Sequence, residues 1–224
     1  MSRPHALIIG TGSGLSASLA RLLADRYDLT LTARDTEKLS DLAAETGART
    51  VAMDGSDPRA MADLFDGLPN PLEVAVYNPS ARVRGAVATL SPGDVRRALD
   101  VTAFGAFLMG QQAARAMVDN PGPHRGTILF TGASAGVKGF AQSAPFAMGK
   151  FAQRGLAQSM ARELHPEGIH VAWINIDGAI ASGHDEEADR LNPDAIASAY
   201  LALIDQPIST WSNELTLRPM NETF

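Results

Sequence analysis

Cysteine is missing from the sequence altogether. Its absence removes disulfides, thiolate metal sites and thiol nucleophiles together. Basic runs are missing too: 25 acidic side chains against 19 basic ones leave a net charge of −6. Long-range attraction to a phosphate backbone is therefore lacking, and nucleic acid is not an expected partner. No apolar run approaches the length of a membrane span. Met1-Ser2-Arg3-Pro4-His5 leads straight into Ala6-Leu7-Ile8-Ile9, too short for a signal segment. No membrane association is expected, and the expected location is the cytoplasm. Tyrosine is scarce, at Tyr27, Tyr77 and Tyr200 only. Of the histidines, His5, His124, His165 and His170 fall at strand ends and loops without metal-ligand spacing. No metal site is expected.

What is present is an alternation. Short apolar runs at residues 6–9, 29–32, 50–53, 73–76, 127–130 and 170–174 read as strands, separated by segments of helical period. Such an order specifies an α/β protein with a mostly parallel sheet covered by helices on both faces. Asp57 before Pro58, and Ser91 three residues before Asp94, have N-capping chemistry. Asn120-Pro121-Gly122-Pro123-His124-Arg125-Gly126 has too many helix breakers and reads as a loop. Helices are expected over 144–164 and 193–204, and a last strand within Trp211 to Pro219. The polar segment 179–193, containing Gly183-His184-Asp185-Glu186-Glu187, falls where a substrate lid would sit. No repeat or long linker divides the chain, so one domain over 1–224 is expected.

The first strand runs directly into Gly10-Thr11-Gly12-Ser13-Gly14-Leu15-Ser16 and then an apolar-periodic helix. A glycine turn there lets backbone N–H groups and the helix N-terminus approach a pyrophosphate. After the second strand comes Arg34, where a protein preferring NAD would carry a carboxylate for the ribose 2′-hydroxyl; a guanidinium can pair with a 2′-phosphate instead. The pattern favours NADP(H) over NAD(H). Arg34 is alternatively an exposed cation at a helix start, partly neutralised by Asp35.

Together these features resemble the short-chain dehydrogenase/reductase family, over residues 10–217. Gly10 and Gly14 match the first two glycines of its Gly-x-x-x-Gly-x-Gly pattern, with Ser16 in the third place. Tyr77-Asn78-Pro79-Ser80 corresponds to its Asn-Asn-Ala-Gly, with only Asn78 identical. Asp54-Gly55 resembles its adenine-binding Asp, although an Asp in such a loop also serves as a turn residue. The resemblance implies a seven-stranded Rossmann-type doubly wound sheet. It also implies a cofactor site of Gly10, Thr11, Ser13, Gly14, Leu15, Arg34, Asp54, Gly55, Asn78, Pro79, Ser80, Lys150, Gly178 and Ile180. Homodimer or homotetramer contacts through the fourth and fifth helices and the last strand are implied as well.

The reacting residues depart from the family. Its Ser, its Tyr thirteen residues on and its Lys four after that fall on Ala133, Phe146 and Lys150. Phe146 has no proton to give, and no other tyrosine lies within a small shift. Ser134 beside Ala133 could present a hydroxyl, and Thr102 takes the place of the family's water-holding Asn. Asp177 takes the place of its Pro after the sixth strand. Lys150 is read as the ribose ligand, its alternative being an ordinary exposed helical lysine on a helix packed through Phe151, Leu156 and Met160. His184 is a possible replacement acid, the plainer alternative being a solvated loop histidine. The expected function is an NADP(H)-dependent oxidoreductase acting on a carbonyl, alcohol or related small substrate, with Lys150, Ser134, Thr102 and Phe146 at the reacting end. Two further readings remain: a degenerate NADP-binding sensor or partner subunit, and an interaction module of the same fold.

Overall fold

The computed structural model describes residues 3–69, 71–186 and 188–222. Met1 and Ser2 of the N-terminal segment and Glu187 of the polar segment lie outside them. Seven strands form one sheet: β1 (His5–Ile9), β2 (Asp28–Ala33), β3 (Arg49–Ala52), β4 (Leu72–Tyr77), β5 (Gly126–Thr131), β6 (Ile169–Ile176) and β7 (Glu214–Leu217). Their order is β3-β2-β1-β4-β5-β6-β7, and every pairing is parallel. The expectation of a mostly parallel sheet is met without an antiparallel exception. Every residue of β1, β5 and β6 is buried, which is why those strands read as continuous apolar runs instead of alternating ones.

Helices cover both faces. On one, Leu19 and Leu23 of α1 (Leu15–Ala24) pack with Ile196, Tyr200 and Leu203 of α7 (Pro193–Ile204), alongside Leu42 of α2 (Ser40–Thr46). On the other, Met61 of α3 (Pro58–Asp66), Met109 and Met117 of α5 (Gly105–Met117), and Ala157 and Ala161 of α6 (Ala144–Leu164) form the second core. The capping expectations hold: Asp57 accepts from the N–H groups of Arg59 and Ala60, and Ser91 accepts from that of Asp94 at the start of α4 (Pro92–Leu99). Asn192 caps α7 in the same way, through Asp194 and Ala195.

One packing expectation is corrected. Phe151 does not face the sheet; it is 45% exposed. The packed face of α6 runs instead through Gly149, Lys150, Gln153, Ala157 and Ala161, with Leu156 and Met160 partly buried against the core. Small residues bring the helix close to the sheet, and Phe151 is rotated out.

Between α4 and α5 the helix passes through a π-turn at Asp100–Phe104. Such single wide turns are rare and occur often at functional sites. This one brings the carbonyl of Val101 to the buried Tyr77 hydroxyl, which donates to it at 2.6 Å. Gly105 is required at its end, because a β-carbon there would collide with the Tyr77 hydroxyl and the Gly55 carbonyl.

Segment 179–193 is short and held at its base. A parallel bridge joins Ile180 to Leu191, with Ala181 N–H donating to Leu191 O at 2.9 Å and Leu191 N–H to Ala179 O at 2.8 Å. Among the described residues, no helix is long and apolar enough to cross a membrane.

Candidate active site

The order of strands reverses between β1 and β4, the place where open α/β sheets bind ligands at the carboxyl ends of their strands. A cleft of about 930 Å³ lies there. Its floor is the glycine turn. Gly10 has φ +78°, and a β-carbon on it would sit 2.5 Å from Pro79 Cγ, so only glycine lets the two loops close on each other. Asn78 holds the turn from the far side, donating through Nδ2 to Gly10 O at 3.2 Å and to Ser16 Oγ at 2.7 Å. No side chain caps α1 at Gly14, and no acidic residue stands in its first turn. Its N-terminus is therefore suited to an anion, and β-carbons at Gly12 and Gly14 would meet only open space. These features fit a pyrophosphate cradle.

Arg34, Asp35 and Lys38 also line the cleft. Lys38 Nζ is 3.1 Å from Asp35. Asp54 accepts through Oδ1 from the Ser56 N–H at 2.9 Å and the Ser56 hydroxyl at 2.7 Å. These donors, with a smaller contribution from Arg34, hold its carboxyl below the usual carboxylate range. Asp54 thus serves its own turn while lining the cleft.

Of the residues expected to bind cofactor, Gly10, Thr11, Ser13, Arg34, Asp54, Gly55, Asn78, Pro79 and Ser80 line this cleft together. Gly14 and Leu15 form the start of α1 behind it, with Leu15 buried. Gly178 packs on Pro219, and Ile180 sits in the bridge to Leu191. Neither lines the cleft.

Lys150 is buried, 2% exposed. Its Nζ donates to Thr131 O at 2.5 Å and to Gln153 Oε1 at 3.2 Å. Burial, and secondarily the charge of Arg82, lower its pKa from 10.5 to about 7. Gln153 Nε2 in turn donates to Thr102 O at 3.4 Å, and Thr102 Oγ1 accepts from the Ala81 N–H at 3.0 Å. A chain of contacts thus runs from Lys150 through the π-turn to the residue before Arg82. Gln153 was not singled out from the sequence; its place three residues after Lys150, on the same helical face, was the available signal.

The positions of the family's Ser and Tyr form an apolar cluster. Ala133, Ala135 and Phe146 are all buried and pack together. The guanidinium of Arg82 lies over the Phe146 ring, 4.5 Å from its centre. Arg82 also lines the cofactor cleft, and it was likewise missed in the sequence. Beyond it opens a second cavity of about 300 Å³, which Ser134 lines and Thr102 does not. Asp177 is buried and paired with Arg218, its N–H donating to Leu217 O at 2.9 Å, so it ties β6 to β7. His184 lines neither cavity and pairs through Nδ1 with Asp194 at 2.7 Å. Tyr77 and Tyr200 are both buried, and desolvation pushes their phenols well above the ordinary range. Tyr200 bonds to the Thr131 hydroxyl at 2.8 Å.

A parallel doubly wound sheet with a glycine cradle at its switch point, and a reacting end between β5 and α6, defines a Rossmann-type dinucleotide-dependent oxidoreductase. A family model described as short chain dehydrogenase matches residues 4–190, and the chain belongs to the short-chain dehydrogenase/reductase family. Its sheet and helices superpose on a short-chain dehydrogenase from Rhodopseudomonas palustris with a TM-score of 0.85, at 32% identity, covering 96% of this chain and 98% of that one. A metagenomic short-chain oxidoreductase solved in complex with NADP gives a TM-score of 0.85 at 26% identity, covering 98% of both chains. The 3-dehydrosphinganine reductase TSC10B of Arabidopsis thaliana is 27% identical over 190 residues, 82% of this chain; the match spans only 57% of that relative.

Proposed function

We propose that the protein is an NADP(H)-dependent oxidoreductase of one Rossmann-type domain, transferring hydride between nicotinamide and a carbonyl, alcohol or related small substrate by a non-standard proton route. The observation that carries the cofactor preference is the pair of cations, Arg34 and Lys38, lining one cleft with the glycine cradle. Two cations suit a 2′-phosphate; Asp35 lines the cleft too and is engaged by Lys38, while the position directly after β2 is Arg34 and not a carboxylate.

When bound, the dinucleotide supplies or accepts the hydride. The chain's residues do the rest. The Gly10 turn and the α1 N-terminus receive the pyrophosphate, with Asn78 and Pro79 fixing that turn. Lys150, the expected ribose ligand, lines neither cavity; with its amine on Thr131 O and Gln153 Oε1 it keeps a readily protonated group beneath the reacting end. Thr102 is a positioning residue, because its buried hydroxyl is held by the Ala81 N–H. Ser134, half-buried at the wall of the adjoining cavity, is the side-chain hydroxyl suited to orient the reacting oxygen or a proton-bearing water. Phe146 and the two alanines exclude water from one side of the reacting centre, so acceptors that are already polarised suit the site best.

The apolar cluster of Ala133, Ala135 and Phe146 also favours a second reading, a protein that binds NADP and has lost turnover. NADPH consumption with a panel of carbonyls and imines, run on the wild type and on Phe146→Tyr with Ala133→Ser, separates the two. Restoring a positioned acid raises turnover by on the order of 10²–10⁴-fold. A slow wild type accelerated to that extent supports the oxidoreductase; a silent wild type beside an active revertant supports the binding protein. For the assembly, the exposed Phe104, Phe107, Met148 and Phe151 on the two long helical segments suit a homodimer or homotetramer interface.

A further inference from the structure

The cavity beside the reacting end has a composition that the family's chemistry does not require. Arg82 and Arg84 both line it, and no carboxylate does. Neither arginine forms an ion pair with a described carboxylate, whereas Arg154, Arg96 and Arg97 on nearby helices all do. In a chain with more acidic than basic residues, two such guanidiniums on one small cavity make a concentrated positive field.

Both side chains are exposed, and the loop that carries them is held at its two ends. The Thr102 hydroxyl fixes the backbone at Ala81, immediately before Arg82, and the Arg82 guanidinium carbon lies over the Phe146 ring, 4.5 Å from its centre. Stacking on a ring occupies the face of a guanidinium and leaves its N–H edge for a planar anion. After Arg84, the Gly85 N–H donates to Gln142 O at 3.1 Å, tying this loop to the one before α6. Gln142 itself has φ +59°, the only described non-glycine residue with positive φ. Such a conformation costs free energy and is concentrated at functional sites. Gln142 and Ser143 both line the same cavity. Arg82 also lines the cofactor cleft, so the cavity and the cleft share a wall.

The geometry points to a substrate that carries its own carboxylate: a small oxo acid, its carboxylate held by Arg82 and Arg84 and its carbonyl directed past Arg82 toward the cofactor cleft. This inference rests on the oxidoreductase reading for its chemistry. NADPH gives hydride to the carbonyl carbon and leaves as NADP⁺, the carbon–oxygen π pair moves to oxygen, and that oxygen takes a proton delivered by water. The carboxylate is unchanged, and its function is anchoring. Anchoring through a remote group is what a site lacking its phenol acid needs, since orientation becomes the main resource for lowering the barrier.

Calorimetry on the NADP⁺-saturated protein tests the assignment without turnover. The probes are linear oxo acids of about three to six carbons, sized to a cavity at the small end of the ligand-site range, each compared with its own methyl ester. Acids are expected to bind at least tenfold more tightly than their esters. Arg84→Gln and Arg82→Gln should each remove most of that preference, and Arg84→Lys should retain part of it. Arg84 does not line the cofactor cleft, so Arg84→Gln should keep its NADP⁺ affinity. Equal binding of acid and ester, no binding of any acid, or a preference that survives in both Gln variants overturns the inference. Failure of the oxidoreductase reading has a separate signature: the acid preference persists in the protein without cofactor, but NADPH is not consumed.

Discussion

Asn78 Nδ2 lies 2.7 Å from Ser16 Oγ, joining the loop after β4 to the first turn of α1. A departure from the family's motifs is thereby linked to a residue that is kept: the serine in the third glycine's place bonds to the one asparagine retained from the Asn-Asn pair. The serine supplies an acceptor that glycine cannot. Asn78→Ala removes this bond and the one to Gly10 O, at a cost of about 1–2 kcal/mol. The expected result is a lower melting temperature and a weaker response of that temperature to NADPH, both read by thermal denaturation. Ser16→Gly should be milder, because Asn78 keeps its bond to Gly10.

Cofactor preference is tested at Arg34. Arg34→Asp should weaken NADPH binding by about tenfold or more, one to two charge-assisted contacts' worth, with NADH binding held or improved. Lys38→Gln should act in the same direction and less strongly, since Lys38 shares its charge with Asp35. Dissociation constants for both dinucleotides, measured by tryptophan fluorescence or calorimetry, decide the matter. An equal loss for NADPH and NADH would remove Arg34 from the 2′-phosphate site.

Lys150 gives a pH signature. An unfolded lysine keeps its proton to about 10.4, whereas in the fold burial brings the value to about 7. Between these values the unfolded chain binds more protons, so stability rises with pH across that window. The contribution is complete above the unfolded value and lost as pH falls to about 7. Lys150→Met lacks it. Urea titrations of both proteins from pH 6 to 10.5 should show wild-type stability gaining on the variant only above about pH 7.

A second titration lies at the opposite end of the sheet. His170 is buried and stacked on Trp211, ring centres 5.0 Å apart, with His165 and His124 also against that tryptophan. Burial lowers the His170 pKa from 6.5 to about 4. Between those values the unfolded chain again binds more protons, so this contribution is lost as pH falls from 6.5 toward 4. His170→Gln should flatten that acid limb in a denaturation series between pH 4 and 7.

Much of the scaffold was legible because its determinants are local. Asp57-Pro58, Ser91-Pro92 and Asn192-Pro193 mark helix starts through side chains that cap the next turn. The strands were legible because a sheet buried on both faces needs unbroken apolar runs. The glycine turn was legible for a similar reason, since it stands directly between an apolar strand and an apolar-periodic helix. Residues that act through distant partners were not. Lys150 reads as a surface lysine or a ribose ligand until Thr131 and Gln153 are seen on either side of its amine. One π-turn leaves no distinct period in an eleven-residue window, so the register shift at Asp100–Phe104 was hidden, and with it the link from Thr102 to Ala81. Phe151 was misassigned because an apolar residue at helical spacing was taken to face inward, although glycine and alanine make the contact.

The bond from Gly85 to Gln142 also has a mechanical consequence. With Ala81 pinned to Thr102 at one end and Gly85 pinned to Gln142 at the other, the stretch bearing both arginines behaves as a fixed jaw. The separation of the two guanidiniums is then set by the fold before any guest arrives, so guests should be sorted by the reach of their charged end rather than by adjustment of the loop.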